Sequence, residues 1–272
     1  MTVRKNQANL TPAEKRAFVN AVVELKRRGR YDPFVTTHRE IFISDMTGPI
    51  RQGHESPSFL PWHRQYLIDF ERALQSINPN VSIPYWDWTR DRTPTSSLWS
   101  ANFLGGNGRR PDGQVMNGPF AHSNGNWSIT VQDDTAPFLR RAMAPTGMPL
   151  PTRAELNTVL AVTPYDMTPW DFTAPGFRNS LEGGAGPGLH NRVHNWVGGQ
   201  MLQSVSPNDP VFWLHHCFVD KIWADWQRRH PQHSYLPAVS TTGVVALNQA
   251  MAPWNNVTPA AMLDHTRFYT YA

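Results

Sequence analysis

In four stretches whose apolar residues recur at helical spacing, a histidine stands in the middle of the apolar stripe. After Asp32-Pro33 the stripe runs Phe34, His38, Ile41 and Phe42. After Ser58 it runs Phe59, His63, Tyr66, Phe70 and Leu74. From Leu189 it runs through His190, Val193, His194 and Val197, and after Asn208-Asp209-Pro210 it runs Phe212, His216, Val219 and Trp223. A neutral imidazole on such a face must find a partner for both ring nitrogens or leave a buried polar group unsatisfied. One such residue is ordinary. Repeated on four helices, with His54 in the loop nine residues before His63, it points to a shared purpose. Metal coordination takes one nitrogen of each ring and leaves the other for a nearby acceptor.

The punctuation around these stripes sets the architecture. Thr11-Pro12-Ala13-Glu14 starts a helix with a capping box and a proline at its first position, Phe18, Val22 and Leu25 give it an apolar face, and Gly29 stops it. Pro84-Tyr85-Trp86-Asp87-Trp88 is a short aromatic run expected to be a buried connector. From Asp91 to about Asn126 the composition turns to Gly, Pro, Asn and Arg, a long irregular segment. Asp134 to Arg141 and Thr152 to Val162 read as short helices, Glu182 to Gly188 as a glycine-rich break, and Gly198-Gly199 as the end of the helix holding His190 and His194. Strand-like alternation is sparse and no repeat of solenoid length is present. The expected fold is mainly α: one domain over residues 1–272 with a four-helix bundle core, long loops and few short strands.

Composition narrows the chemistry. The 272 residues include a single cysteine, Cys217, which excludes an intramolecular disulfide framework and any cysteine-built zinc or iron–sulfur site. Eleven histidines make the opposite surplus, so a metal site here is built from imidazole. Basic clusters at residues 26–30 and at Arg228-Arg229 each fall at the C-terminal end of an expected helix, where cations complement the helix dipole. No nucleic-acid partner is expected from them. No window is apolar enough for a membrane span, and the polar start (Thr2 to Gln7) holds no signal peptide, so an exported protein would depend on another chain for its address.

Imidazole suits copper, zinc, iron and nickel. A di-iron bundle needs bridging glutamates and Glu-x-x-His pairs, which these helices do not supply. The one His-Glu pair, His54-Glu55, is followed by Ser-Pro-Ser and so fails the zinc-protease pattern. Six imidazoles split three and three favour two copper ions.

On these residues the chain resembles the type 3 copper proteins, and specifically bacterial tyrosinases of the Streptomyces kind. The first copper motif (about 34–70) is matched by His38, His54 and the run from Ser56 to Arg64 that contains His63. The second (about 189–223) is matched by Leu189 to His194 and by Ser206 to His216. The aromatic block at 84–88 also fits, and the resemblance spans nearly the whole chain.

The resemblance implies that His38, His54 and His63 bind one copper ion and His190, His194 and His216 the other. Dioxygen would be the co-substrate, monophenols would be hydroxylated ortho to their OH, and o-diphenols would be oxidised to o-quinones. Glu182 and Asn191 match the positions that hold a water able to take the phenol proton. Asn195 falls where relatives vary in the balance of the two activities, and Met201 and Ser204 are expected at the pocket rim. His215, beside a ligand, is expected to be a satisfied core residue, and Cys217 a small buried thiol. His122, His230, His233 and His265 are given no role.

The resemblance also implies a small caddie protein that delivers copper and carries the export signal, so the chain is expected to be secreted with that partner or to stay in the cytoplasm. With no shielding domain expected after the bundle, the site should be open. An o-aminophenol oxidase, a catechol oxidase, an oxygen carrier of the haemocyanin kind and a bundle with purely structural histidines remain open at this point.

Overall fold

The computed structural model describes residues 2–132, 135–184 and 188–272. Helix α1 (Pro12–Arg27) begins at the expected capping box: the Thr11 hydroxyl accepts from the Glu14 N–H at 3.2 Å, and the Glu14 carboxylate accepts from the Thr11 N–H at 2.8 Å. It is followed by α2 (Asp32–Thr47) and α3 (Phe59–Gln75). The short helices α4 (Arg153–Leu160) and α5 (Phe177–Glu182) lead to α6 (Leu189–Val197) and α7 (Val211–Arg229). Helix α4 repeats the capping box with Thr152 and Glu155. Two three-residue strands, β1 (Thr2–Arg4) and β2 (Tyr269–Tyr271), pair in parallel with Thr2 opposite Tyr269, tying the described ends of the chain together.

Helices α2, α3, α6 and α7 form the bundle, with α3 against α7 at its centre. Helix α3 is buried around most of its circumference, so its charged residues need internal partners. Arg64 donates to Asp220 on α7 at 2.5 Å and stacks over Trp223. Glu71 accepts two bonds from the Arg4 guanidinium, which fastens β1 to the bundle. The Trp213 ring of α7 lies flat on Phe70 of α3, centroids 3.6 Å apart. Burying a side chain like Phe70 contributes about 1.5–3 kcal/mol.

Some expectations shift. The buried face of α2 is Val35, His38, Ile41 and Asp45, while Phe34 and Phe42 are only half-buried. Helix α3 begins at Phe59, and Ser58 donates to the Gln52 carbonyl instead of capping it. Helix α7 begins at Val211, because Asn208 belongs to the tight turn Ser206–Asn208 and Asp209 accepts from the Val211 N–H.

The expected helix from Asp134 to Arg141 is not formed over 135–141; Asp134 lies outside the described residues. Pro137 lacks a donor, and the backbone is committed elsewhere: Val115 N–H donates to Leu139 O, and Arg141 N–H to Gly113 O. Arg141 then grips Asp209 with both arms of its guanidinium. Helix α5 was not expected at all. It runs up to the glycine-rich break and ends on Glu182, the first residue of that break.

Candidate metal centre

Five of the six candidate ligands come from helices: His38 from α2, His63 from α3, His190 and His194 from α6, and His216 from α7. His54 comes from the loop between α2 and α3. The ligating atoms of His38, His54 and His63 lie within 4.8 Å of one another, and so do those of His190, His194, His215 and His216. The two groups face each other, with the His63 and His216 rings stacked at 4.3 Å.

The outer nitrogens decide what the inner ones are. Nδ1 of His38 faces the Ser204 carbonyl at 2.7 Å, that of His63 the Phe59 carbonyl at 2.9 Å, and that of His194 the Met201 carbonyl at 2.6 Å. Nδ1 of His190 faces the Asn191 side-chain oxygen at 2.9 Å, and that of His54 the Asp45 carboxylate at 3.0 Å. Each of these partners can only accept, so each Nδ1 carries the proton and each Nε2 is a bare lone pair. Yet Nε2 of His38 lies 3.2 Å from Nε2 of His54, and Nε2 of His216 lies 3.2 Å from that of His190 and 3.3 Å from that of His194.

His38 and His54 thus oppose two lone pairs, which repel unless a cation lies between, and His216, whose Nδ1 has no partner, has at most one proton to offer the two lone pairs it meets. Two nitrogens each roughly 2.0–2.1 Å from one tetrahedral ion stand about 3.3 Å apart. The Nε2 atom of His63 is likewise buried with no partner. Burial and neighbouring imidazoles push the pKa values of His38, His63, His190 and His216 well below the usual imidazole range, and burial brings His194 to about 4. The rings are therefore neutral near pH 7, which coordination requires. The donor set is all imidazole, and it fits copper.

A cavity of about 250 Å³ opens onto this cluster, lined by His38, His54, His190, His194 and His216. Glu182, Asn191, Asn195 and Met201 share its wall, with Met46 and Leu202 at the mouth. Glu182 accepts from the Glu55 N–H at 2.6 Å and from Arg178 at 3.0 Å. Burial pushes its carboxyl up, opposed by the Arg178 guanidinium. Asn191 spends its oxygen on His190, which leaves its amide N–H groups to donate. Glu182 and Asn191 also line a smaller adjoining cavity of about 240 Å³. Between them Gly183, at φ +152°, has no room for a side chain: a Cβ there would lie 2.2 Å from the Asn191 amide nitrogen.

Met201 and Ser204 reach the site mainly as backbone, through the carbonyls that orient His194 and His38. His215 departs from expectation. It is fully buried and stacked on His190 at 5.0 Å, and neither of its ring nitrogens has a hydrogen-bond partner. Its ring lies among those of His190, His194, His216 and Trp88. Cys217 is a buried free thiol, as expected. Two supporting residues went unnoticed in the sequence. Asp45 holds His54, and Arg178 holds Glu182 while pairing with Asp166 at 2.8 Å. Arg178 belongs to no motif or apolar stripe, whereas Asp45 stands as a charged residue on the buried face of α2, one turn after Ile41.

The family model described as the common central domain of tyrosinase matches residues 28–229, which include both histidine groups. The tyrosinase of Streptomyces antibioticus is 62% identical over 271 residues, covering 100% of this chain and 99% of that protein. The tyrosinase of Streptomyces glaucescens is 60% identical over 271 residues, with the same coverage. Among solved structures, a polyphenol oxidase from Thermothelomyces thermophila shares the fold, with a TM-score of 0.75 at 23% identity over 100% of this chain and 89% of that one. With the motifs, the bundle and the facing imidazoles already in place, these matches settle the family: the chain is a member of the tyrosinase family.

Proposed function

We infer that this chain is a dicopper oxidase that uses dioxygen to hydroxylate monophenols such as L-tyrosine and to oxidise o-diphenols such as L-DOPA to o-quinones, as in melanin formation. The observation that carries this is the meeting of the proton-free Nε2 atoms of His38 and His54 at 3.2 Å, facing a second imidazole group in which the proton-free Nε2 atoms of His190 and His194 both converge on His216 at 3.2–3.3 Å. His38, His54 and His63 would hold the first ion, and His190, His194 and His216 the second. When bound, the copper pair supplies dioxygen binding and the two-electron chemistry that imidazoles lack.

The remaining work falls to the chain itself. A phenol enters between Met46 and Leu202, which are 46% and 59% exposed and offer it an apolar approach. Its hydroxyl, with a pKa near ~10, must lose a proton to bind well. Glu182 and Asn191 share one cavity wall, and a water held between the Glu182 carboxylate and the Asn191 amide would take that proton. A buried carboxyl with a raised pKa is the stronger base for this task. Asn195, exposed on the same wall, would steer the ring.

The exposed apolar residues at the mouth, with Phe172 at 49% exposure beside the adjoining cavity, offer a surface for a copper-delivering caddie protein. No helix among the described residues is long and apolar enough to cross a membrane.

The test is turnover of L-tyrosine, L-DOPA and an o-aminophenol by the copper-loaded chain. Oxidation of the first two supports this function. Rapid aminophenol oxidation with no tyrosine hydroxylation would replace it.

A further inference from the structure

Given the dicopper centre inferred above, we propose that Asp45 is a positioning residue that anchors His54 and makes the first copper ion the more firmly held of the pair. His54 is the one candidate ligand outside a helix, so its ring direction is not set by a helical backbone. Asp45, on the last turn of α2 and 1% exposed, sets it instead. One carboxylate oxygen accepts from the Gln52 N–H at 2.5 Å; the other accepts from the Gly53 N–H at 3.0 Å, the His54 N–H at 2.8 Å and His54 Nδ1 at 3.0 Å. Three consecutive backbone N–H groups thus converge on one side chain, an anion-binding nest that closes around the ligand loop. All four partners donate, the surroundings of an ionised carboxylate.

The other ligands are supported differently. His38, His63 and His194 lean on neutral backbone carbonyls and His190 on a neutral amide. Nδ1 of His216 is buried with no partner. A carboxylate behind an imidazole fixes its tautomer and raises its basicity, whereas the His216 ring, though packed between His63 and Phe212, has neither aid. The charged support thus stands behind the first ion and the unsupported ring behind the second. The ions should therefore leave at different rates, the second before the first.

The experiment loads the full chain with cuprous copper, mixes it with excess bicinchoninate and follows release optically. Two phases are expected, and His54→Ala should lack the slow one. In Asp45→Asn the amide oxygen can still serve the three donors on one side, while the amide NH2 meets the Gln52 N–H, so the charge and one of the loop's four bonds are lost. The slow phase should then accelerate by about 10- to 100-fold, with the fast phase unchanged. Asp45→Ala, which removes the anchor, should retain one ion. The proposal is overturned if Asp45→Asn releases both ions at native rates, if both phases accelerate equally, or if His54→Ala lacks the fast phase. A native chain that binds no copper would instead overturn the dicopper reading itself.

Discussion

The backbone carbonyls of Met201 and Ser204, three residues apart on one tight segment, hold one ligand from each triad: Met201 accepts from His194 at 2.6 Å, and Ser204 from His38 at 2.7 Å. A single stretch of chain therefore sets the orientation of both halves of the centre. Since the contribution is backbone, Met201→Ala and Ser204→Ala should keep the full copper content. Activity on L-DOPA should stay within about threefold, because ligand geometry rather than these side chains limits the rate. Metal analysis of the two variants checks this. Loss of an ion in either would mean that the side chain matters.

Glu182→Gln keeps the acceptor for the Glu55 N–H but removes the base. Hydroxylation of L-tyrosine should fall by about 10²–10⁴ in kcat/KM, the usual worth of a general base. Copper content should not change. Steady-state rates beside metal analysis decide it, and an unaltered tyrosine rate would remove Glu182 from the mechanism.

Gly183→Ala places a methyl group where the Asn191 amide now sits, at a φ of +152° that side chains rarely adopt. The displaced Asn191 would release both the proton-accepting water and the His190 ring. The expected result is at least a tenfold loss of tyrosine hydroxylation, on the scale of misplacing a catalytic group by about 1 Å. A variant with native rates would show that Asn191 has no such part.

Copper removal should expose a pH dependence. In the unfolded chain imidazoles take up protons near ~6.5, whereas in the fold burial holds His38, His63, His190 and His216 neutral to far lower pH and His194 to about 4. Unfolding below pH ~6.5 therefore takes up protons. Stability of the copper-free chain is complete above that pH and is lost as pH falls toward about 4. Thermal melts from pH 7.5 downward should show a falling Tm, and bound copper should raise Tm at neutral pH by mass action. A flat Tm profile would contradict the neutral buried rings.

Cys217 is fully buried, and burial pushes its thiol up to about 12. The thiolate is the reactive form, so iodoacetamide should leave the native chain unmodified at pH 8 and label it only after denaturation. Mass spectrometry reads this directly, and labelling of the folded chain would place the thiol at an accessible surface.

How much of this was legible depends on where each signal lies. Thr11, Glu14, Thr152 and Glu155 act over three residues, so two helix starts could be read directly. The histidines on apolar stripes were visible because helical periodicity made them misfits. Helix α5 is hidden from a sequence reading: six residues between Gly176 and Gly183 are too few to show a period, so only the glycine-rich break that starts at Glu182 is legible. Residues 135–141 misled because their backbone bonds go to Gly113 and Val115, distant in sequence. Asp45 shows as a charge on the buried face of α2, but its grip on His54, the support from Arg178 and the surroundings of His215 depend on tertiary neighbours that leave no local pattern.

The most direct measurement is the copper content of the purified, copper-loaded chain and of six single His→Ala variants. Two ions per native chain are expected, with fewer after replacement of any one of His38, His54, His63, His190, His194 and His216. A native chain that keeps no copper, or variants that keep the full complement, would contradict a centre built from these six imidazoles.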